Sequence, residues 1–66
     1  MIVNGQDVSL TELHAETLLQ LINAYELTPE SVAVEMNGQI PDRSSWNSIR
    51  LRESDRIELV RFVGGG

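Results

Sequence analysis

The chain has no cysteine. That removes disulfide stapling, thiolate metal sites and cysteine nucleophiles together, and it leaves no sign of secretion. Lysine is absent as well: the basic residues are Arg43, Arg50, Arg52, Arg56 and Arg61. Schiff-base chemistry on a side-chain amine is therefore excluded, and so is an isopeptide chain built on the protein's own lysines. His14 is the one histidine. It has no second imidazole and no thiolate to join, so no metal site is expected, because such sites need three or four ligands. Long apolar runs are missing too. The opening "MIVNGQDVSL" turns polar after Val3, which fits neither a signal peptide nor a membrane span, and the cytoplasm is the expected compartment.

Positive charge is absent from residues 1–30, which hold Asp7, Glu12, Glu16, Glu26 and Glu30. The five arginines of residues 31–66 are matched by five acids, so the net charge of −5 belongs to the first half. An acidic surface repels the phosphate backbone that dominates nucleic-acid affinity, and nucleic acid is not an expected partner. A basic protein surface would suit it better. At 66 residues the chain is one small domain, and such a domain buries only about 60% of the surface that its unfolded chain exposes. It has no room for a deep catalytic cleft. Chemistry is expected in a partner's pocket or at a terminus, and the chain is not expected to be an enzyme or to carry catalytic residues.

The elements that are present form a readable order. "MIV", "NG" and "QDVSL" suggest a hairpin, since Asn-Gly suits the positive-φ positions of a tight turn. "TELHAE" has no clean period and is expected to be loop. In "TLLQLINAYEL", Leu18, Leu21, Ile22 and Tyr25 form one helical stripe, with Thr17 and Gln20 set as a capping box and Thr28-Pro29 as the stop. "SVAVEMNG" reads as a strand with Val32, Val34 and Met36 facing one way, ending in an Asn37-Gly38 turn. "IRLR" reads as a short strand, and "RIELVRFV" as the last one. Between them, Asp42, Glu53 and Asp55 sit at expected turns, where side-chain-to-backbone hydrogen bonds explain acids well. Trp46 is expected to anchor its loop against the core. Arg50, Arg52 and Arg56 fit a solvated strand face.

The last strand has a conflict of phase. Ile57 and Leu59 share a face, and continuing the alternation puts Arg61 on that face and Val60 and Phe62 on the other. Either a bulge shifts the phase, or Val60 and Phe62 form an exposed apolar patch. The patch is the favoured reading, with Val60, Phe62 and Val63 as a partner interface. Together the elements make an α+β domain of two layers, a mixed sheet covered by a helix.

After the last strand come Gly64, Gly65 and Gly66. Ordering glycine is entropically expensive, so a tail of bare backbone suggests a use. Residues without a Cβ can thread a narrow channel. Four extended residues beyond Phe62 reach about 13–14 Å, enough to enter a neighbour's active site. A free carboxylate is a poor acyl donor until it is joined to AMP through ATP. A sulfide, amine or thiol can then take the acyl group.

In "VAVEMNG", "RSSW" and "ESDRIELVRFVGG" the chain resembles the ThiS family, sulfur-carrier proteins of thiamine biosynthesis. The likeness runs from the opening "VNG" turn through the helix "TLLQLI" and the Arg43-x-x-Trp46 loop to the Asp55-x-Ile57-x-Leu59 run into Gly-Gly. It implies a ubiquitin-like β-grasp fold, with a mixed sheet of four to five strands packed on one main helix. Residues 1–63 would form the domain and 64–66 a flexible glycine tail. The resemblance further implies that a ThiF-type enzyme adenylates the Gly66 carboxylate, with Gly64 and Gly65 threading the channel. Sulfur from a cysteine-desulfurase route then makes a thiocarboxylate, and a ThiG-type thiazole synthase takes the sulfur. No cofactor is bound by the carrier in this cycle, and ATP is used by the activating partner. Two departures stand out: Pro41-Asp42 precedes Arg43 where the family often has Val-Pro, and Gly64 replaces another small residue. Other readings are a MoaD-like small subunit of molybdopterin synthase, a ubiquitin-like modifier forming isopeptide bonds, and an interaction domain with an idle tail.

Overall fold

The computed structural model describes residues 1–62. Strand β1, Ile2–Val3, turns through Asn4 and Gly5 into β2, Gln6–Asp7. Asn4 has φ 52° and Gly5 φ 81°, the pair of positive values that a type I′ hairpin turn requires. The hairpin is shorter than its apolar alternation suggests. Leu10, expected on the strand, instead starts helix α1, Leu10–Leu13. The expected "TELHAE" loop thus contains a short helix. Ser9 caps it by accepting from the Glu12 amide at 3.4 Å, and His14 closes it at φ 54°.

Helix α2, Leu18–Ala24, begins as expected. The Thr17 hydroxyl accepts from the Gln20 amide at 3.2 Å, while Gln20 Oε1 accepts from the Thr17 amide at 3.3 Å. Two otherwise orphaned donors are satisfied at once. The end differs from the expected proline stop. Leu27 N–H bonds to the Ile22 carbonyl and Glu26 N–H to that of Asn23, the paired bonds of a Schellman motif. Glu26 therefore takes the left-handed φ of 58° that usually belongs to glycine. Pro29 begins a separate 3₁₀ turn, Pro29–Ser31, which leads into β3, Val32–Met36.

Strand β4, Arg56–Arg61, lies between β1 and β3 in the order β2-β1-β4-β3. It runs parallel to β1, with Val3 opposite Ile57, and antiparallel to β3. The expected "IRLR" strand is not a sheet member. Arg50 makes only an isolated bridge to Thr17, and the Leu51 amide bonds to the Glu16 carbonyl, so this segment straps the start of α2 instead. Its alternation still serves packing, because Leu51 is buried and Arg50 and Arg52 are exposed.

Leu18, Leu21 and Ile22 of α2 meet Val3, Val32, Val34, Ile57 and Leu59 of the sheet in one core, closed by Met1, Ala15, Trp46 and Leu51. Among the described residues, only one face of the sheet is covered. A mixed sheet with its last strand in the middle and one main helix across it is the β-grasp arrangement, here with four strands.

Candidate functional site

The uncovered face of β3 and β4 is where the chain departs from a plain stable domain. Ladder pairing runs without interruption from Met36↔Ile57 through Val34↔Leu59 to Val32↔Arg61. No bulge shifts the phase, so side chains alternate strictly. Ile57 and Leu59 go to the core, while Val60 is 57% and Phe62 59% exposed. Arg61 falls on the core side, but as the last residue of β4 it reaches solvent. The expected patch is present. Val63, Gly64, Gly65 and Gly66, placed by the sequence reading at the interface and in the tail, lie outside the described residues.

The structure adds a residue that sequence reasoning missed. Ile40, 79% exposed, joins the patch from the loop after β3. In the sequence it stands alone before Pro41, with no periodicity to place it. The loop is held by Trp46, which is buried and donates its indole N–H to the Pro41 carbonyl at 3.2 Å. The Arg43-x-x-Trp46 spacing forms a 3₁₀ turn, Arg43–Ser45, whose following residue, Trp46, drops into the core. Trp46 is thus the expected anchor, and what it anchors is the approach of Ile40 to the sheet. A shallow hollow of about 330 Å³ results, lined by Ala33, Val34, Glu35, Ile40, Glu58 and Val60.

A buried polar node aligns β3 with β4. Asp55 is 6% exposed. Its Oδ1 accepts from Asn37 Nδ2 at 3.0 Å and its Oδ2 from the Arg52 amide at 2.7 Å. Asn37 in turn accepts from the Arg56 amide at 2.9 Å, tying the turn after β3 to the start of β4. Asp55 therefore behaves as the expected turn acid, accepting from the backbone amide of Arg52. Asp42 makes no side-chain cap, and Glu53 lies 3.8 Å from the Met1 ammonium. At the other end of β4, the Phe62 amide bonds to the Ser31 carbonyl at 2.8 Å. The strand that leads into the glycines is thus pinned to the sheet up to its last described residue.

Among the described residues there is no group of three or more His, Cys, Asp or Glu that could hold a metal. None of their helices is long and apolar enough to cross a membrane. Arg50 and Glu16 approach to 3.8 Å with both side chains largely in water, a contact that contributes little. What the arrangement presents is an exposed apolar face beside a pinned strand end.

The ThiS family model matches residues 1–66. The sulfur carrier protein ThiS of Bacillus subtilis is 36% identical over 64 residues, covering 97% of this chain and 96% of that protein. A thiazole synthase of Magnetococcus marinus is 42% identical over 50 residues, which are 76% of this chain but only 15% of that protein. The crystal structure of a thiamine biosynthesis protein, ThiS, from Geobacter metallireducens superposes with a TM-score of 0.78 at 27% identity, covering 98% of this chain and 96% of that one. The match along the whole sequence, on a four-stranded sheet with one covering helix, makes this chain a member of the ThiS family.

Proposed function

We propose that this protein carries sulfur for thiamine biosynthesis on its C-terminal carboxylate, that of Gly66. The observation that supports the reading best is the full-length match to a ThiS sulfur carrier of nearly the same size, read together with the Gly64-Gly65-Gly66 ending. In the first step a carboxylate oxygen of Gly66 attacks the α-phosphorus of ATP and pyrophosphate leaves. A ThiF-type partner binds the nucleotide and the tail. In the second step the outer sulfur of a persulfide from a cysteine-desulfurase route attacks the acyl carbon and AMP leaves with the oxygen. A thiol then cleaves the acyl disulfide, forming a disulfide with the donor sulfur and releasing the thiocarboxylate. The net change is one oxygen exchanged for sulfur. A ThiG-type thiazole synthase then accepts the sulfur, and the similarity of this chain to part of a thiazole synthase favours that destination.

The chain's own residues contribute presentation. Glycines offer the channel no Cβ and adopt any φ, while β4 fixes where the tail starts. The absence of cysteine leaves the terminus as the place where this carrier can hold sulfur covalently. Incubation with the cognate ThiF-type enzyme, ATP and a sulfur source is expected to shift the intact mass by that single exchange. An unchanged mass would leave only an interaction domain, and attachment to lysines of other proteins would make it a modifier.

Val60, Phe62 and Val63 would form the apolar part of the contact with the activating partner. Phe62→Ala is expected to weaken binding to the ThiF-type enzyme at least tenfold, because aromatic side chains are enriched among the residues that dominate interfaces. Its melting temperature should stay within a few degrees, since surface substitutions change stability by roughly ±0.5 kcal/mol. Calorimetric titration beside thermal denaturation separates the two. A large loss of stability with unchanged affinity would mean that Phe62 supports the fold instead.

A further inference from the structure

On the uncovered face, Glu35 of β3 and Glu58 of β4 are direct cross-strand partners. Both are exposed. Like charges directly opposite each other destabilise a sheet, so the protein alone gains nothing from this pairing. Among the described residues neither carboxylate forms an ion pair within 4 Å; the salt bridges there are made by Asp7, Glu53 and Glu16. Arg56 follows on the same face by alternation, and no ion pair within 4 Å joins it to either carboxylate. The two acids rim the hollow that Ala33, Val34, Ile40 and Val60 line.

We infer that this hollow receives an apolar side chain of a partner protein while an adjacent arginine or lysine of that partner sits between Glu35 and Glu58. Charge complementarity selects the occupant. A second copy of this chain, packed face to face about a twofold axis, would bring four carboxylates together on molecules that each carry a net charge of −5. A basic surface instead converts the repulsion of the free carrier into attraction in the complex. The carboxylates then act chiefly on encounter and on partner choice, as charges at the edge of an apolar contact do. Once the partner leaves, the repulsion returns, which suits a carrier that must be released and passed to another protein. This inference deepens the function proposed above and takes from it only the identity of the partner.

The test uses the full chain with the cognate ThiF-type enzyme, comparing wild type with Glu35→Gln/Glu58→Gln. The double variant is expected to bind about tenfold more weakly at low ionic strength, with the difference shrinking toward none near 0.5 M salt as screening removes the attraction. Its own thermal stability should be equal to wild type or higher. At saturating enzyme it should still gain the oxygen-to-sulfur mass change, because the tail is intact. Equal affinity at low salt in a variant that folds and loads would overturn the inference and leave the carrier reading standing. A wild-type chain that binds but never loads would overturn the carrier reading without touching this one. Sedimentation showing a dimer that Val60→Arg abolishes would place a second copy on the face and sink the assignment.

Discussion

Removing Gly66 is expected to lower sulfur loading by at least a hundredfold while leaving the fold unchanged. The reason is geometric. The strand feeding the tail cannot slide outward, because the Phe62 amide is bonded to the Ser31 carbonyl and the β4 register is held pair by pair as far as Val32↔Arg61. Shortening the tail by one residue therefore withdraws the terminal carboxylate by about 3.3–3.6 Å. Reacting groups misplaced by about 1 Å already lose on the order of a hundredfold in rate. The body should not notice the truncation, since among the described residues the buried core reaches no further along the chain than Leu59. Intact-mass measurement of loading, beside the thermal melting curve, reads both halves of the expectation. A truncated chain that loads as well as wild type would refute the terminal chemistry, and one that unfolds would make the tail structural.

Residue by residue, what could be read in advance was what is decided locally. The Thr17–Gln20 capping box and the two Asn-Gly turns depend on neighbours within a few positions, and Asn37-Gly38 repeats the positive φ pair of Asn4-Gly5 at 54° and 83°. The exposed side of β4 followed from alternation once no bulge was assumed. Helix α1 is not legible from periodicity, although Ser9 and Glu12 carry the Ser-x-x-Glu signature, because a four-residue helix is too short to show a period. The end of α2 falls before the proline that marks it in the sequence because Glu26, not a glycine, takes the left-handed position; the bonds to Ile22 and Asn23 that hold it there are visible only in three dimensions. The "IRLR" segment alternates like a strand because Leu51 packs into the core, yet its backbone partners are residues 16–18 at the start of α2 rather than a sheet edge. Ile40 and the facing of Glu35 by Glu58 depend on register and on a loop held by Trp46. Neither has a local signature.

The one-sided character of β4 has a measurable consequence for stability. Ile57 is fully buried in the central strand, opposite Val3 of β1 and Met36 of β3. Ile57→Ala removes that side chain from between the helix and the sheet, and such substitutions cost about 2–5 kcal/mol through lost burial and the cavity left behind. A domain of this length holds roughly 3–10 kcal/mol in total, at about 0.05–0.15 kcal/mol per residue. Ile57→Ala is therefore expected to consume a large share of the stability and lower the melting temperature by roughly 10–30 °C. Val60→Ala, three positions on but 57% exposed, should change stability by no more than about 0.5 kcal/mol. Urea titration distinguishes the two, with the midpoint falling steeply for Ile57→Ala and staying nearly unmoved for Val60→Ala. Comparable losses at both positions would mean that Val60 is packed in solution, and the apolar face would no longer be open to a partner. The proposed docking would draw on this asymmetry: one side of β4 holds the body together through Ile57 and Leu59, while Val60 and Phe62 on the other are exposed, so a partner could bind there without loosening the core.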